Sequence, residues 1–383
     1  MLKPFLSYRA VCCYIKVMEH SAQHFFEQQR KAIREKLKDI LCEKAVELCG
    51  THRWKGDFMD RFRSFCLQGK MIRGGLIVLS FRLFRADMPD ALLELASAME
   101  ILHSSLLIHD DIMDRDATRR GKPTIFSQYR RFAVQHRLND PGHFGESFGI
   151  CAGDIGFFLA FGILSSLDLE PDVRKKIQQL WSSEFTSVGL AQMQDVYLGS
   201  VSGEVHEEDI MNLYRYKTAR YTFSLPLASG AVAAGVGGET VALLEELGEY
   251  MGTVFQLKDD ELDLFGDERE TGKPVGTDMK EGKKTLLFLY LSRLLEAGKS
   301  ELGVLTGEER AYLQEGLRPI GLTTDTLMQL RTIATKHGIV SRIGEKIMEL
   351  NGRAESLIDT LQIDEAHRDT LISVLRYNME RRW

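Results

Sequence analysis

Apolar positions recur at three- and four-residue spacing along almost the whole chain, and strand-type alternation never runs for long. The spacing predicts amphipathic helices over residues 21–49, 70–86, 89–114, 147–167, 171–200, 207–219, 221–236, 240–266, 281–297, 307–318, 323–337, 339–361 and 364–380. Clusters of Gly, Pro and charge separate them, as in RRGKPT (119–124), LNDPGHFG (138–145) and DERETGKPVGTD (267–278). No low-complexity linker and no short-period repeat interrupts the pattern. The expectation is an all-α fold.

Two acidic clusters break the apolar faces. The first is Asp110-Asp111-Ile112-Met113-Asp114, the second Asp259-Asp260-Glu261-Leu262-Asp263. Each sets carboxylates at i, i+1 and i+4, and i and i+4 share a helix face. Like charges there repel unless a cation lies between them. The first cluster also falls at the C-terminal, negative end of its helix, which sharpens that need. Oxygen ligands without nearby Cys or His favour Mg²⁺, which keeps waters and takes substrate phosphates as further ligands. Two such clusters brought together would hold a small Mg²⁺ cluster suited to a diphosphate. Because they lie far apart in sequence, a shared site predicts one α-helical domain over 21–383.

Composition narrows the picture without changing it. The 383 residues are 44% hydrophobic and 27% charged, enough for a large core. A net charge of −6 gives no support to nucleic-acid binding by bulk electrostatics. The six cysteines, among them Cys12, Cys13, Cys42, Cys66 and Cys151, show no zinc-type spacing and suit a reducing, cytoplasmic setting. No apolar run is read as long enough, at roughly 18 to 20 residues, to span a membrane. Arg9 and Lys16 interrupt the apolar N-terminus, so residues 1–20 are expected to be an extension rather than a signal peptide, with Met18 an alternative start.

Basic residues flank the first cluster. Arg119 and Arg120 are adjacent in a Gly-containing turn with Lys122 close behind, a pattern suited to phosphate oxygens. Gly69-Lys70-Met71-Ile72-Arg73-Gly74-Gly75 is expected to open a helix, with Lys70 and Arg73 on one face at i and i+3. The segment is no Walker loop, because GxxxxGK[ST] is absent. His103 lies seven residues before Asp110, on the same face. Gln192, Asp195, Lys217, Thr218, Lys273 and Lys283 are unremarkable one by one, and Gln256 could bond within a polar bundle centre.

Together these motifs resemble the trans-isoprenyl diphosphate synthases (polyprenyl synthetases), most of all geranylgeranyl diphosphate synthases, over roughly residues 55–380. The resemblance rests on both Asp-rich motifs, the GK..R segment, RRGKPT, and TGKPVGTD followed by KEGKKTLL. It implies an all-α bundle around a central cavity, usually a homodimer. By the same resemblance Lys70, Arg73, His103 and Arg120 would bind isopentenyl diphosphate. Arg119, Lys217, Thr218, Gln256, Lys273 and Lys283 would hold the allylic diphosphate. Asp110, Asp114 and Asp259 would be the main Mg²⁺ ligands, assisted by Asp111, Asp260 and Asp263, while Gln192 and Asp195 match a polar pair in the cavity.

The implied reaction is ionisation of the allylic diphosphate, attack by the isopentenyl double bond and loss of a proton to the released diphosphate. Asp110, Asp114, Asp259, Lys217 and Arg119 would carry it. In the family the residue five before the first Asp is a common floor for the growing chain; here it is Ser105, followed by Leu106, with Leu102 and Met99 deeper. On helix geometry alone Leu106 and Leu102 lie nearer the carboxylate face. No aromatic pair stands there, so a C20 product is expected, with C25 or longer as the alternative. A non-catalytic regulatory subunit and a terpene cyclase are weaker readings, because both Asp motifs and the isopentenyl diphosphate set are intact. The segment 127–147 is longer than the family's usual link.

Overall fold

The computed structural model describes residues 8–48, 52–201, 205–266, 275–296, 304–318 and 322–380, with the side chains of 8–21 left aside. The fold is all-α, as the periodicity predicts. The helices are α1 Tyr8–Glu47, α2 Lys55–Cys66, α3 Ile72–Arg82, α4 Asp90–Met113, α5 Ile125–Gln135, α6 Pro141–Ser166, α7 Pro171–Ser200 and α8 Glu207–Leu213. A π-helical segment, Tyr214–Ser224, follows without a break. Then come α9 Leu225–Ala233, α10 Gly238–Phe265, α11 Thr277–Glu281, α12 Leu286–Glu296, α13 Gly307–Gly316, α14 Thr324–Lys336, α15 Ile339–Thr360 and α16 Glu365–Glu380. Among the described residues the strands are one two-residue pair, β1 Thr118–Arg119 and β2 Lys122–Pro123.

The chain divides into two compact units. One, here the N-unit, comprises Gln23–Ser182 with Pro226–Ala242. The other, the C-unit, comprises Met1–Ala22, Ser183–Leu225 and Leu243–Trp383.

In the N-unit, α4 packs on α3 and α6, and α5 lies on α6. The α4–α6 contact is close because α6 presents glycines there. A Cβ at Gly156 would overlap Ser105 Oγ and come within 2.7 Å of Phe62 Cζ; one at Gly149 would stand 2.7 Å from Ile112. A cluster of rings joins Trp54 to α5 and α6: Trp54 to Phe132 at 5.6 Å and to Phe148 at 4.7 Å between centroids, and Phe144 to Phe148 at 4.2 Å. The long 127–147 segment is therefore mostly helix, pinned by aromatic packing.

In the C-unit the core gathers Leu257 and Leu264 of α10 with Tyr214, Leu286, Tyr290, Leu330 and Ile343. Gly248 and Gly252 let α10 approach the π-helical segment at Ser224 and Ala219, where added Cβ atoms would overlap backbone. Asn378 Nδ2 donates to the Met251 carbonyl at 2.7 Å and ties α16 to α10.

Several sequence expectations need correction. Helices α2 and α5 were not predicted, although Phe58, Met59, Phe62, Phe65 and Cys66 share the buried side of α2. Helix α6 begins at Pro141, six residues earlier than expected, because Asp140 caps it and Pro141 occupies the first turn. The segments 207–219 and 221–236 are not two separate helices but one unbroken run through the π segment. The statement that no run is long and apolar enough to span a membrane also fails: α4 and α6 both meet that test by length and composition. Within those windows 78% of α4 is buried in protein, as in the core helix of a packed domain, against 44% of α6.

Candidate active site

The first acidic cluster closes α4, with Met113 its last helical residue and Asp114 the C-cap. Asp114 N–H donates to the Asp110 carbonyl at 2.8 Å, so the i, i+4 relation holds to the helix end. Asp110 and Asp114 are half-buried, whereas Asp111 is completely buried. Arg119 Nε donates to Asp111 Oδ1 at 2.5 Å, and Asp111 Oδ2 is buried with no hydrogen-bond partner. Burial pushes the Asp111 carboxyl up to about 7, with Arg119 opposing.

Arg119 is held by the turn that follows. Thr118 pairs with Pro123 and Arg119 with Lys122, leaving Arg120 and Gly121 as the two-residue tip at φ 52° and 72°. Positive φ at both tip residues is the tight hairpin geometry, which glycine accepts freely and arginine does not. Such strain at a non-glycine residue belongs with functional constraint.

A cationic group assembles beside this turn. Burial first, and then the charges of Arg73, Arg120 and Arg119, drives the His103 imidazole well below its usual pKa, so it is neutral at physiological pH. Arg73 and Arg120 also act on Glu100, one turn earlier on α4, whose Oε1 accepts the Gly74 N–H at 2.8 Å. Arg73, His103, Arg119 and Arg120 are thus brought together in the N-unit. Lys70 is exposed and lies before α3, because Met71 takes a left-handed conformation at φ 57°. The expected i, i+3 helix face shared by Lys70 and Arg73 does not exist.

In the C-unit the second cluster lies in the last two turns of α10. Asp259 is exposed; Asp260 is buried, accepting from Tyr214 Oη and from Gln256 Nε2 at 2.8 Å. Tyr214 Oη in turn accepts the Leu286 N–H at 2.9 Å. Burial, with Asp278 adding to it, raises the Asp260 carboxyl well above its usual range. Asp263 caps α11: its carboxylate accepts the N–H of Thr277 at 3.1 Å and of Asp278 at 3.2 Å. Burial and then Asp278 lift Asp263 to about 7.

Lys217 and Thr218 lie on the π segment, and Lys217 Nζ pairs with Asp195 of α7. Lys283 Nζ is 2.8 Å from Glu281 and 3.9 Å from Asp278. Gln192 is half-buried on α7, one turn before Asp195. Lys273 lies outside the described residues. Of the chain-length positions, Ser105, Leu102 and Met99 are fully buried on α4, and Leu106 is half-buried.

Among the described residues no group of three metal-ligating side chains is preassembled. The donor chemistry nonetheless suits a hard cation: Asp110 and Asp114 are half-buried and Asp259 exposed, and Mg²⁺ bound through one or two carboxylates completes its shell with water and phosphate. The sequence missed Glu100, Tyr214 and Glu184. A carboxylate inside the apolar run LLELASAMEILH was the available signal for the first; nothing local marks the other two.

The polyprenyl synthetase family profile matches residues 58–313, and the chain belongs to that family. It is 33% identical over 257 residues to the geranylgeranyl diphosphate synthase of Saccharolobus solfataricus, covering 66% of this chain and 72% of that protein. It is 33% identical over 235 residues to a short chain isoprenyl diphosphate synthase of Methanocaldococcus jannaschii, covering 61% of this chain and 65% of that protein. The crystal structure of geranylgeranyl pyrophosphate synthase from Corynebacterium glutamicum, complexed with isoprenyl diphosphate and magnesium, superposes with a TM-score of 0.84 at 27% identity, over 93% of this chain and 99% of that one.

Proposed function

We propose that this chain is a Mg²⁺-dependent trans-prenyltransferase that joins isopentenyl diphosphate to an allylic diphosphate and makes geranylgeranyl diphosphate (C20). The observation that carries this reading is the convergence of Arg73, His103, Arg119 and Arg120 beside Asp110 and Asp114 in the N-unit. Phosphate-type ligands of high negative charge are what such a group attracts. The names of the matched synthases from Saccharolobus solfataricus and Corynebacterium glutamicum support a C20 product over a longer one.

Asp110 and Asp114 in the N-unit, and Asp259 in the C-unit, would each be Mg²⁺ ligands, and Mg²⁺ when bound supplies positive charge to the departing diphosphate. Arg73, Arg120 and Lys70 bind the diphosphate of isopentenyl diphosphate, and neutral His103 offers it a ring N–H. Lys217, Thr218, Gln256 and Lys283 take the allylic diphosphate, with Lys217 exchanging its Asp195 partner for phosphate oxygen. Arg119 stays on Asp111, adding charge beside the leaving group and holding the hairpin that presents Arg120. Apolar side chains such as Leu106 exclude water from the developing cation.

Helix α6 leaves Ile150, Ile155 and Phe158 exposed, Phe158 by 78%, and a second copy of the chain is the partner we assign to that face. Light scattering on the parent and on Phe158→Asp tests it: a dimer converted to a monomer is expected, and a monomeric parent refutes it.

The activity is tested by incubating the protein with Mg²⁺, isopentenyl diphosphate and, in parallel, C5, C10, C15 and C20 allylic diphosphates, then sizing the products. A dominant C20 product from the three shorter primers is expected. Products beyond C20 refute the chain length, and no elongation refutes the activity.

A further inference from the structure

Glu100 is a carboxylate in the middle of the apolar helix α4, 2% exposed. Isolated charges are rarely buried unless opposite charges or hydrogen bonds surround them. Here Oε1 accepts the Gly74 N–H at 2.8 Å, one of the unsatisfied donors at the start of α3. Gly74 has no room for a side chain, since a Cβ would meet the Ala96 carbonyl at 3.1 Å and Ile33 Cδ1 at 3.0 Å. The first turn of α3 is therefore pressed onto α4, and Arg73 is the residue just before the contact. His103 follows Glu100 by three residues on the same helix, and Ser104 Oγ donates to the Glu100 carbonyl at 2.8 Å.

Burial raises the Glu100 carboxyl, while the Gly74 N–H and the charges of Arg73 and Arg120 pull it down. Two arginines that converge without a ligand repel each other. The Glu100 carboxylate, on which both charges act, offsets that repulsion and keeps them gathered for an incoming anion. A buried charge is a poor device for stability alone, because an apolar or amide residue of the same volume usually serves as well.

We propose that Glu100 is a positioning residue for the isopentenyl diphosphate site, fixing the start of α3 and holding Arg73 and Arg120 in the arrangement that receives a diphosphate. It does not touch substrate in this role. The inference rests on the proposed activity and deepens it.

Glu100→Gln keeps the shape and an oxygen for the Gly74 N–H and removes only the charge. The experiment measures KM for isopentenyl diphosphate and for the allylic substrate separately, with calorimetric binding of isopentenyl diphosphate alone and thermal melting alongside. The expected result is a rise of about tenfold in the isopentenyl diphosphate KM and a matching loss of binding, with the allylic KM within about twofold of the parent. An unchanged isopentenyl diphosphate KM, or equal rises for both substrates, overturns the proposal. Should that variant fail to fold, Glu100→Asp, charged but one methylene shorter, is expected to raise the isopentenyl diphosphate KM alone by about threefold; no rise, or a rise for both, again overturns it. A parent protein that elongates nothing refutes the activity instead, so the two failures are distinct.

Discussion

Asp111 Oδ1 receives the Arg119 Nε–H at 2.5 Å, and the aspartate is wholly buried while Asp110 and Asp114 on either side are not. The three acids of one short motif therefore differ in kind. Asp110→Asn and Asp114→Asn are expected to melt within a few degrees of the parent and to lose condensation activity by orders of magnitude. Asp111→Asn is expected to lose about 3 kcal/mol of stability, because it removes one member of a buried ion pair. Thermal melting and product assays on the three variants check this, and equal melting temperatures throughout would contradict the assignment.

Burial lifts the Asp111 and Asp263 carboxyls to about 7 when no metal is bound, and raises Asp260 as well. An unfolded aspartate titrates near about 4. Between these values the folded protein binds more protons than the unfolded chain, so stability falls as pH rises through the window. Metal-free protein is expected to melt at a higher temperature near about pH 5.5 than near about pH 8. Added Mg²⁺ should reverse the order by favouring the ionised carboxylates at the higher pH. Melting curves with chelator and with Mg²⁺ at both pH values decide it.

Helix period and the i, i+4 acids made α4 and α10 legible in the sequence, since both signals are local. Part of the rest depends on partners far away in the chain, and part on local backbone geometry. Asp263 and Asp260 look like a repeat of the first motif, yet one caps α11 and the other is bonded to Tyr214, 46 residues away. The left-handed Met71 removes Lys70 from the face that its spacing to Arg73 suggested. Gly142 and Gly145 weigh against helix in the sequence and set the expected start of α6 late, whereas Gly145 is there for close packing on Phe126 and Arg130.

The chain-length positions separate by burial. Ser105 is fully buried with its Oγ against Gly156, so a larger residue there must displace α6 before it can act on a substrate tail. Leu106 is half-buried and lies one turn before Asp110. Leu106→Phe is expected to shift the main product from C20 to C15 with little change in melting. Ser105→Phe is expected to cost about 1–3 kcal/mol through overpacking. Product sizing together with melting separates the two; a C20 product from Leu106→Phe removes that residue from the tunnel.

Arg220 joins the π segment to two neighbours, its guanidinium bonded to Glu184 of α7 and to Glu249 of α10. Glu184 is buried, and Glu249 also accepts Arg215 at 2.6 Å. Lys217 and Thr218 lie within one turn of this clamp, so their placement depends on the register it holds. Arg220→Met leaves Glu184 buried without its partner and is expected to cost roughly 3 kcal/mol. Arg220→Lys keeps the charge but loses the two-pronged contact, and is expected to remain folded with an allylic KM raised about fivefold. The KM for isopentenyl diphosphate should stay near the parent value, because Arg73, His103 and Arg120 belong to other elements. A variant in which both constants rise together would show that Arg220 acts on the fold as a whole and not on the register of the π segment.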